Sequence, residues 1–242
     1  MSILTIAQNV ATEAHFNAPS TIVGNVDPTS QLLLLLIKRA TTDISNSFRW
    51  SGLVKQGTFN FVNNQTNYTL ASDYKEYIPM TMWDYTTRRP IIAPIDAEDY
   101  GIQTNYLITS GIDKMAYFYG NQVYITPVPS NTDTINYSYK TNNIFKSSGG
   151  SGQTTIIADT DTTIVPEYLV ELSTKLRYLV SKGLITPELY QASYEKLDFE
   201  EQLQAAQKAD GMGQKGTINM NTGGNAYWKA AYTQDSNFPQ TS

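Results

Sequence analysis

The chain has 242 residues, no cysteine and a formal net charge of -5. That length allows one large domain or one domain with appendages, and a chain this long buries a core without staples. The composition excludes disulfides, thiolate metal sites and cysteine nucleophiles, and the acidic balance argues against a tight duplex-DNA clamp, which needs cations to neutralise phosphates.

Ser2 is positioned to cap a first helix, along which Ile3, Ala7, Val10, Ala11 and Ala14 recur at helical spacing. A loop follows over 17–26. Asp27-Pro28 is a strong second start, a capping carboxylate with proline in the first turn, and the helix should run to about Ser47. Within it, Leu32 to Ile37 is six consecutive apolar residues, enough to cover the whole circumference where a surface helix shows one stripe. Two readings stand: a central core helix, or a helix whose Leu32, Leu33, Leu35 and Leu36 also pack on a neighbouring subunit.

The pattern changes at Gly57. Eleven of the chain's 17 tyrosines lie between Gly57 and Lys140. Short strands are expected over 58–62 and 67–70, joined by an Asn-rich turn, and again at Tyr77-Ile78. Residues 96–108 read as a short helix or an irregular segment. Met115–Tyr119 and Gln122–Thr126 flank Gly120-Asn121, a hairpin turn where positive φ is cheap. Residues 134–140 alternate Ile135, Tyr137 and Tyr139 on one face, as a strand does. The Tyr-rich surface of this block is expected to face neighbours rather than a substrate.

Residues 147–152 read as a flexible Ser/Gly loop. After Pro166, Leu169, Leu172, Leu176 and Leu179 form a helical stripe that Gly183 should end. Thr186-Pro187 starts a further helix whose Tyr190, Tyr194 and Leu197 should face the previous one as an antiparallel pair. Past Asp210, five glycines and few core-forming residues leave a polar tail, yet Tyr227, Trp228, Tyr232 and Phe238 appear in it. Such a tail does not fold alone. Two readings again stand, a disordered tail with incidental aromatics or an arm whose aromatics anchor on a partner or neighbouring subunit.

Catalytic signatures are weak. His15 is the single histidine, placed at a helix end where a cation suits the dipole, so a triad or the usual zinc arrangements are not expected. Asp159 and Asp161 resemble a calcium-loop fragment, but Ile164 and Val170 stand where the pattern needs Gly and Glu. Glu167, Glu171, Glu195, Glu200 and Glu201 have the spacing of solvated helix faces, without a pattern that singles out an acid or a nucleophile. No phosphate-loop motif is present. Arg88-Arg89 beside Pro90 suits a phosphate contact, but two arginines in an acidic chain more often make a turn salt bridge, and Lys38-Arg39 reads as the polar edge of the second helix. No cofactor or metal is implied. The opening 16 residues lack the pattern of a secretory signal, and Leu32–Ile37 is far short of the roughly 20 residues of a spanning helix, so no membrane contact and assembly in a cytoplasm are expected.

The order of these elements carries a resemblance. A Leu-rich helix ends near Phe48-Arg49-Trp50; the 68–73 segment Tyr-Thr-Leu-Ala-Ser-Asp, Trp83, Arg89-Pro90-Ile91, the 123–129 segment ending Pro-Val-Pro, the 135–139 strand and two closing helices follow. Over roughly residues 2–207 this resembles the bacteriophage head-to-tail adaptor (connector, head-completion) proteins that bind beneath the portal. The resemblance implies an α+β fold: a helical bundle with an inserted antiparallel β-rich module and an extended C-terminal arm. The corresponding boundaries are 1–56 and 146–210 for the bundle, 57–145 for the insert and 211–242 for the arm. It also implies a homo-oligomer, a twelve-fold ring in the virion neck that extends the DNA channel without specific DNA binding. The partners are then the portal protein and tail or nozzle proteins, with Tyr227, Trp228, Tyr232 and Phe238 as docking anchors and no catalysis. Another tail or baseplate component is the alternative, and a cell-wall glycan hydrolase a more distant one.

Overall fold

The computed structural model of the protein describes residues 1–105, 114–184 and 194–213. The fold is mixed α+β. Five α-helices are present among the described residues: α1 (Ile3–Glu13), α2 (Pro28–Ser47), α3 (Ala97–Asn105), α4 (Glu167–Ser181) and α5 (Tyr194–Gly213). Local chemistry sets their ends. The Ser2 hydroxyl accepts from the Thr5 N–H, and the Asp27 carboxylate accepts from the Ser30 N–H at 2.9 Å. Gly183, at φ +67, closes α4, with the Leu184 N–H reaching back to the Leu179 carbonyl.

Helices α1, α2, α4 and α5 share one apolar core. Ile3, Ile6 and Val10 of α1 meet Leu33, Ile37 and Ala40 of α2, Leu169 and Val170 of α4, and Ala206 of α5. Helix α1 runs alongside α4, tied by Asn9 to Glu171 and by Glu13 to Lys175 at 2.9 Å. Arg177 of α4 pairs with Asp43 of α2.

Among the described residues twelve strands form three sheets. In the largest, β9 (Thr134–Thr141) is flanked by β1 (Val54–Asn60) on one side and by β3 (Tyr74–Tyr77) and β4 (Trp83–Asp84) on the other, and β5 (Arg89–Pro90) pairs with β4. The second sheet has the order β2 (Asn67–Thr69), β8 (Gln122–Thr126), β7 (Met115–Tyr119), β6 (Ile92–Ile95). These two sheets enclose a second core of Phe61, Tyr68, Tyr77, Met82, Ile125, Ile135, Tyr137 and Tyr139. A small sheet of β10 (Phe145–Lys146), β11 (Gly152–Gln153) and β12 (Thr162–Thr163) delivers Phe145 to the helical core instead.

Four features depart from the sequence-based expectation. The strands on either side of the Asn-rich turn do not pair: β1 joins β9 and β2 joins β8. One pair is parallel, β6 with β7, and the chain connects them through α3, because parallel neighbours need a crossover. The Ser/Gly loop is a tight turn, fixed by Ser147 N–H to Ser151 carbonyl at 2.9 Å and Gly150 at φ +84. Four of the block's ten described tyrosines face inward. Tyr68, Tyr77, Tyr137 and Tyr139 are buried, with their hydroxyls satisfied by the Gln65 carbonyl, the Thr81 and Met82 N–H groups, the Ala71 N–H and the Asp73 carboxylate respectively. A ring that buries its body and finds a partner for its hydroxyl is a core residue, so these four tyrosines are committed to the interior, while Tyr74, Tyr100, Tyr117 and Tyr124 are half-buried and Tyr85 and Tyr119 are exposed.

Candidate interaction surfaces

Polar groups lock the two cores together and hold particular loops still. Lys140, on β9, is buried and donates from Nζ to the Ser45 and Phe48 carbonyls at the C-terminus of α2. Burial lowers its pKa, with the nearby Lys75 and Arg49 acting in the same direction. Asp73 gathers Lys55 at 2.6 Å, the Tyr139 hydroxyl at 2.7 Å and the Thr141 hydroxyl at 2.9 Å. Burial opposes its charge, but these hydrogen bonds outweigh burial and hold the carboxyl down at about 2. The Tyr139 hydroxyl is pushed up, by burial first and by the adjacent carboxylate second.

The third polar group sits behind the β4–β5 hairpin. Lys114 lies 3.2 Å from Asp84 and 3.1 Å from Asp133, and its ammonium also sits 4.3 Å from the centre of the Phe61 ring. Asp84 accepts from the Thr86 and Thr87 N–H groups. Its pKa is lowered: burial opposes the charge, and the Thr87 N–H and Lys114 overcome it.

The surface splits the sequence candidates. In the leucine run, Leu33 and Leu36 lie in the helical core, Leu32 and Leu34 pack against its rim, and Leu35 is 44% exposed. Helix α2 is thus a core helix over most of its circumference, with Leu35 on the outer face. Arg88 and Arg89 are exposed and form no ion pair among the described residues, so the expected turn salt bridge is absent. His15 is exposed, at φ 57 just past α1.

Asp159 and Asp161 do structural work. Asp159 accepts from the Ile22 and Val23 N–H groups, Asp161 accepts from those of Ile157 and Ala158, and their carbonyls receive the first N–H groups of α1. Glu167 pairs with the terminal ammonium of Met1, and Glu200 with Lys196. Glu195 lies outside the described side chains. No group of three His, Asp or Glu side chains able to hold a metal occurs among the described residues, and no described helix is long and apolar enough to cross a membrane. A groove of about 420 Å³ opens between Trp50–Gly52, the turn before α4 and the last turns of α5, where Asp210 accepts from the Ser51 N–H at 2.8 Å. The segments carrying Tyr190, Tyr227, Trp228, Tyr232 and Phe238 lie outside the described residues, as do the side chains of Tyr194 and Leu197.

A family model described as SU10 adaptor protein matches residues 1–225. The chain belongs to the SU10 adaptor family. The match takes in both cores and continues past α5, ending just short of Tyr227. No curated protein matches the chain. Membership makes it a phage adaptor, a structural component of the virion that contacts other capsid or tail proteins. Lys140, Asp73 and the Lys114 cluster, which fix this SU10 adaptor's two cores and its exposed hairpin, have no local motif. Their partners are distant in sequence, and the alternation of Ile135, Tyr137 and Tyr139 places Lys140 on the opposite face of β9, so no sequence signal marked it.

Proposed function

We propose that this SU10 adaptor forms a ring in the phage neck, a twelve-fold one, joining the portal to tail or nozzle proteins and extending the DNA channel. The observation that carries the reading is the family match across residues 1–225. The acidic net charge of -5 supports a channel that lets DNA pass without gripping it. The helical core, assigned to residues 1–56 and 146–210 as a bundle, makes the ring contacts, with Leu35 and the rim of Leu32 available to a neighbour and Leu33 and Leu36 holding the helix in place. The β-rich module over 57–145 faces outward. The arm over 211–242 docks on the portal through Tyr227, Trp228, Tyr232 and Phe238, large aromatics of the type that anchor interfaces.

Electron microscopy of the virion neck tests the reading. The expected result is a ring of this chain directly beneath the portal, and a location at the distal tail or baseplate refutes it. Deletion of residues 212–242 tests the arm: the truncated chain should fold with the same helical signal and fail to join the portal.

A further inference from the structure

We infer that the β4–β5 hairpin is a head-to-tail docking element that seats on the acidic start of α3 in a second copy of this chain. The inference rests on the ring reading and gives it a contact.

Four observations meet at the hairpin. Trp83 is 46% exposed and Tyr85 71%, and neither ring packs on another aromatic ring among the described residues. Arg88 and Arg89 stand exposed beside them without an ion pair among the described residues. Trp, Tyr and Arg are the side chains that dominate interface energetics. The tip is rigid. Asp84, buried against Lys114, holds the Thr86 and Thr87 N–H groups, the Tyr85 N–H binds the Thr134 carbonyl at 2.8 Å, and the Thr134 N–H binds the Thr86 hydroxyl. A tip whose backbone is already fixed leaves only its side chains to order on docking. Finally, Pro90 on the outer strand removes a donor, so the edge is blunted against strand addition and the contact is made by side chains.

The same chain carries the complement. Asp96, Glu98 and Asp99 are all exposed at the start of α3, and none forms an ion pair among the described residues. Asp96 caps the Asp99 N–H at 2.7 Å, which fixes the cluster. Ile102, 44% exposed, lies one helical turn beyond Glu98. Carboxylates beside an apolar residue match arginines beside aromatic rings. Joined head to tail, the two different patches make a heterologous contact, the kind that closes into rings and that the ring reading calls for; a closed two-fold dimer in the native mass spectra, each hairpin on the other copy's α3, would overturn the head-to-tail arrangement. A nucleic-acid backbone would also accept two arginines and two rings, but the chain's net charge of -5 works against it.

Charge exchange tests the contact on the full chain by native mass spectrometry and sedimentation over a concentration series. Arg88→Glu/Arg89→Glu and Glu98→Lys/Asp99→Lys should each raise the concentration needed for assembly by about tenfold or more, and the four-fold variant should recover most of that loss. Thermal melts of all three should match the parent, since every altered side chain is exposed. As a second measurement, the cysteine-free chain allows Tyr85→Cys and Ile102→Cys proteins to be mixed: a disulfide should form between the two variants and not within either alone. Assembly that ignores both reversals, or no recovery in the combined variant, overturns the contact and leaves the ring reading standing. A parent chain that stays a single chain at every concentration, alone and in the virion, removes both. Loss of DNA retention in the Arg88→Glu/Arg89→Glu protein with assembly intact assigns the hairpin to nucleic acid instead and overturns the inference.

Discussion

Lys140 donates to the Ser45 carbonyl at 2.6 Å across 95 residues of sequence, and so pins the main sheet to the end of α2. The last carbonyls of a helix have no partners within it. Helix α2 has no glycine cap; the chain turns extended at Phe48, and side chains take over. Lys140 serves Ser45 and Phe48, and the Trp50 indole serves Ile44 at 2.7 Å. The joint between the helical core and the β core is therefore a buried cation on a helix C-terminus, where the dipole favours positive charge.

Lys140→Met should cost about 1–3 kcal/mol, because methionine fills the stem's volume but leaves two buried carbonyls unpaired. Urea unfolding followed by far-ultraviolet circular dichroism reads this as a lower midpoint at unchanged slope. An unchanged midpoint would show that water replaces the ammonium.

Lys114→Met should be more damaging, at about 3 kcal/mol or more, since it strands Asp84 and Asp133 near each other without a cation. Their side chains are 2% and 6% exposed, so solvent compensates little. The hairpin should loosen with them. Amide exchange at Thr86 and Thr87, whose N–H groups Asp84 holds, should rise more than exchange in α1 or α4.

Asp73 gives the fold an acid limit. Its folded pKa of about 2 lies below the unfolded value of 3.8, so the unfolded chain binds a proton first. The stability it contributes is present in full above the unfolded value and is lost as pH falls through the folded one. Unfolding midpoints should therefore decline between about pH 5 and pH 2, and Asp73→Asn should flatten part of that decline while lowering stability at pH 7. A variant with the parent's acid profile would place the titration elsewhere.

Gly57→Ala probes a close approach. A Cβ at Gly57 would sit 2.6 Å from the Tyr137 hydroxyl oxygen, whose ring covers the glycine across the β1–β9 pair. The tyrosine is held by the Ala71 N–H and cannot swing away freely. Thermal denaturation should show a loss of about 1–3 kcal/mol, the usual cost of overpacking.

What the sequence makes legible is local. Ser2, Asp27-Pro28 and Gly183 mark helix ends by capping chemistry within a few residues, Gly120-Asn121 marks its hairpin, and Ile135, Tyr137 and Tyr139 mark an inward face by alternation. What it hides is nonlocal. Tyrosine has an apolar body and a polar tip, so its composition alone suits an interface or a core, and the choice was made by partners such as Ala71 for Tyr137, 66 residues away. The parallel β6–β7 pair and the separation of β1 from β2 depend on which sheet each strand reaches, which no turn signal encodes. Arg88-Arg89 looked like half of a salt bridge because the acidic chain offers many partners; Asp84, which faces Arg89 across the β4–β5 pair, is already held by Lys114.

The leucine run separates folding from assembly. Leu33 is fully buried and Leu35 is 44% exposed, two residues apart on one helix. Leu33→Ala should cost about 2–5 kcal/mol, by lost transfer energy and the cavity left behind. Leu35→Ala should change folding by less than about 0.5 kcal/mol, as exposed substitutions do. If the outer face of α2 meets a neighbour, Leu35→Asp should leave the melting curve in place while suppressing the ring in native mass spectra and in assembled necks. Buried carbonyl-free leucine contacts tolerate an uncompensated carboxylate poorly, so a Leu35→Asp chain that assembles normally would take α2 out of the subunit interface and leave the hairpin as the contact to pursue.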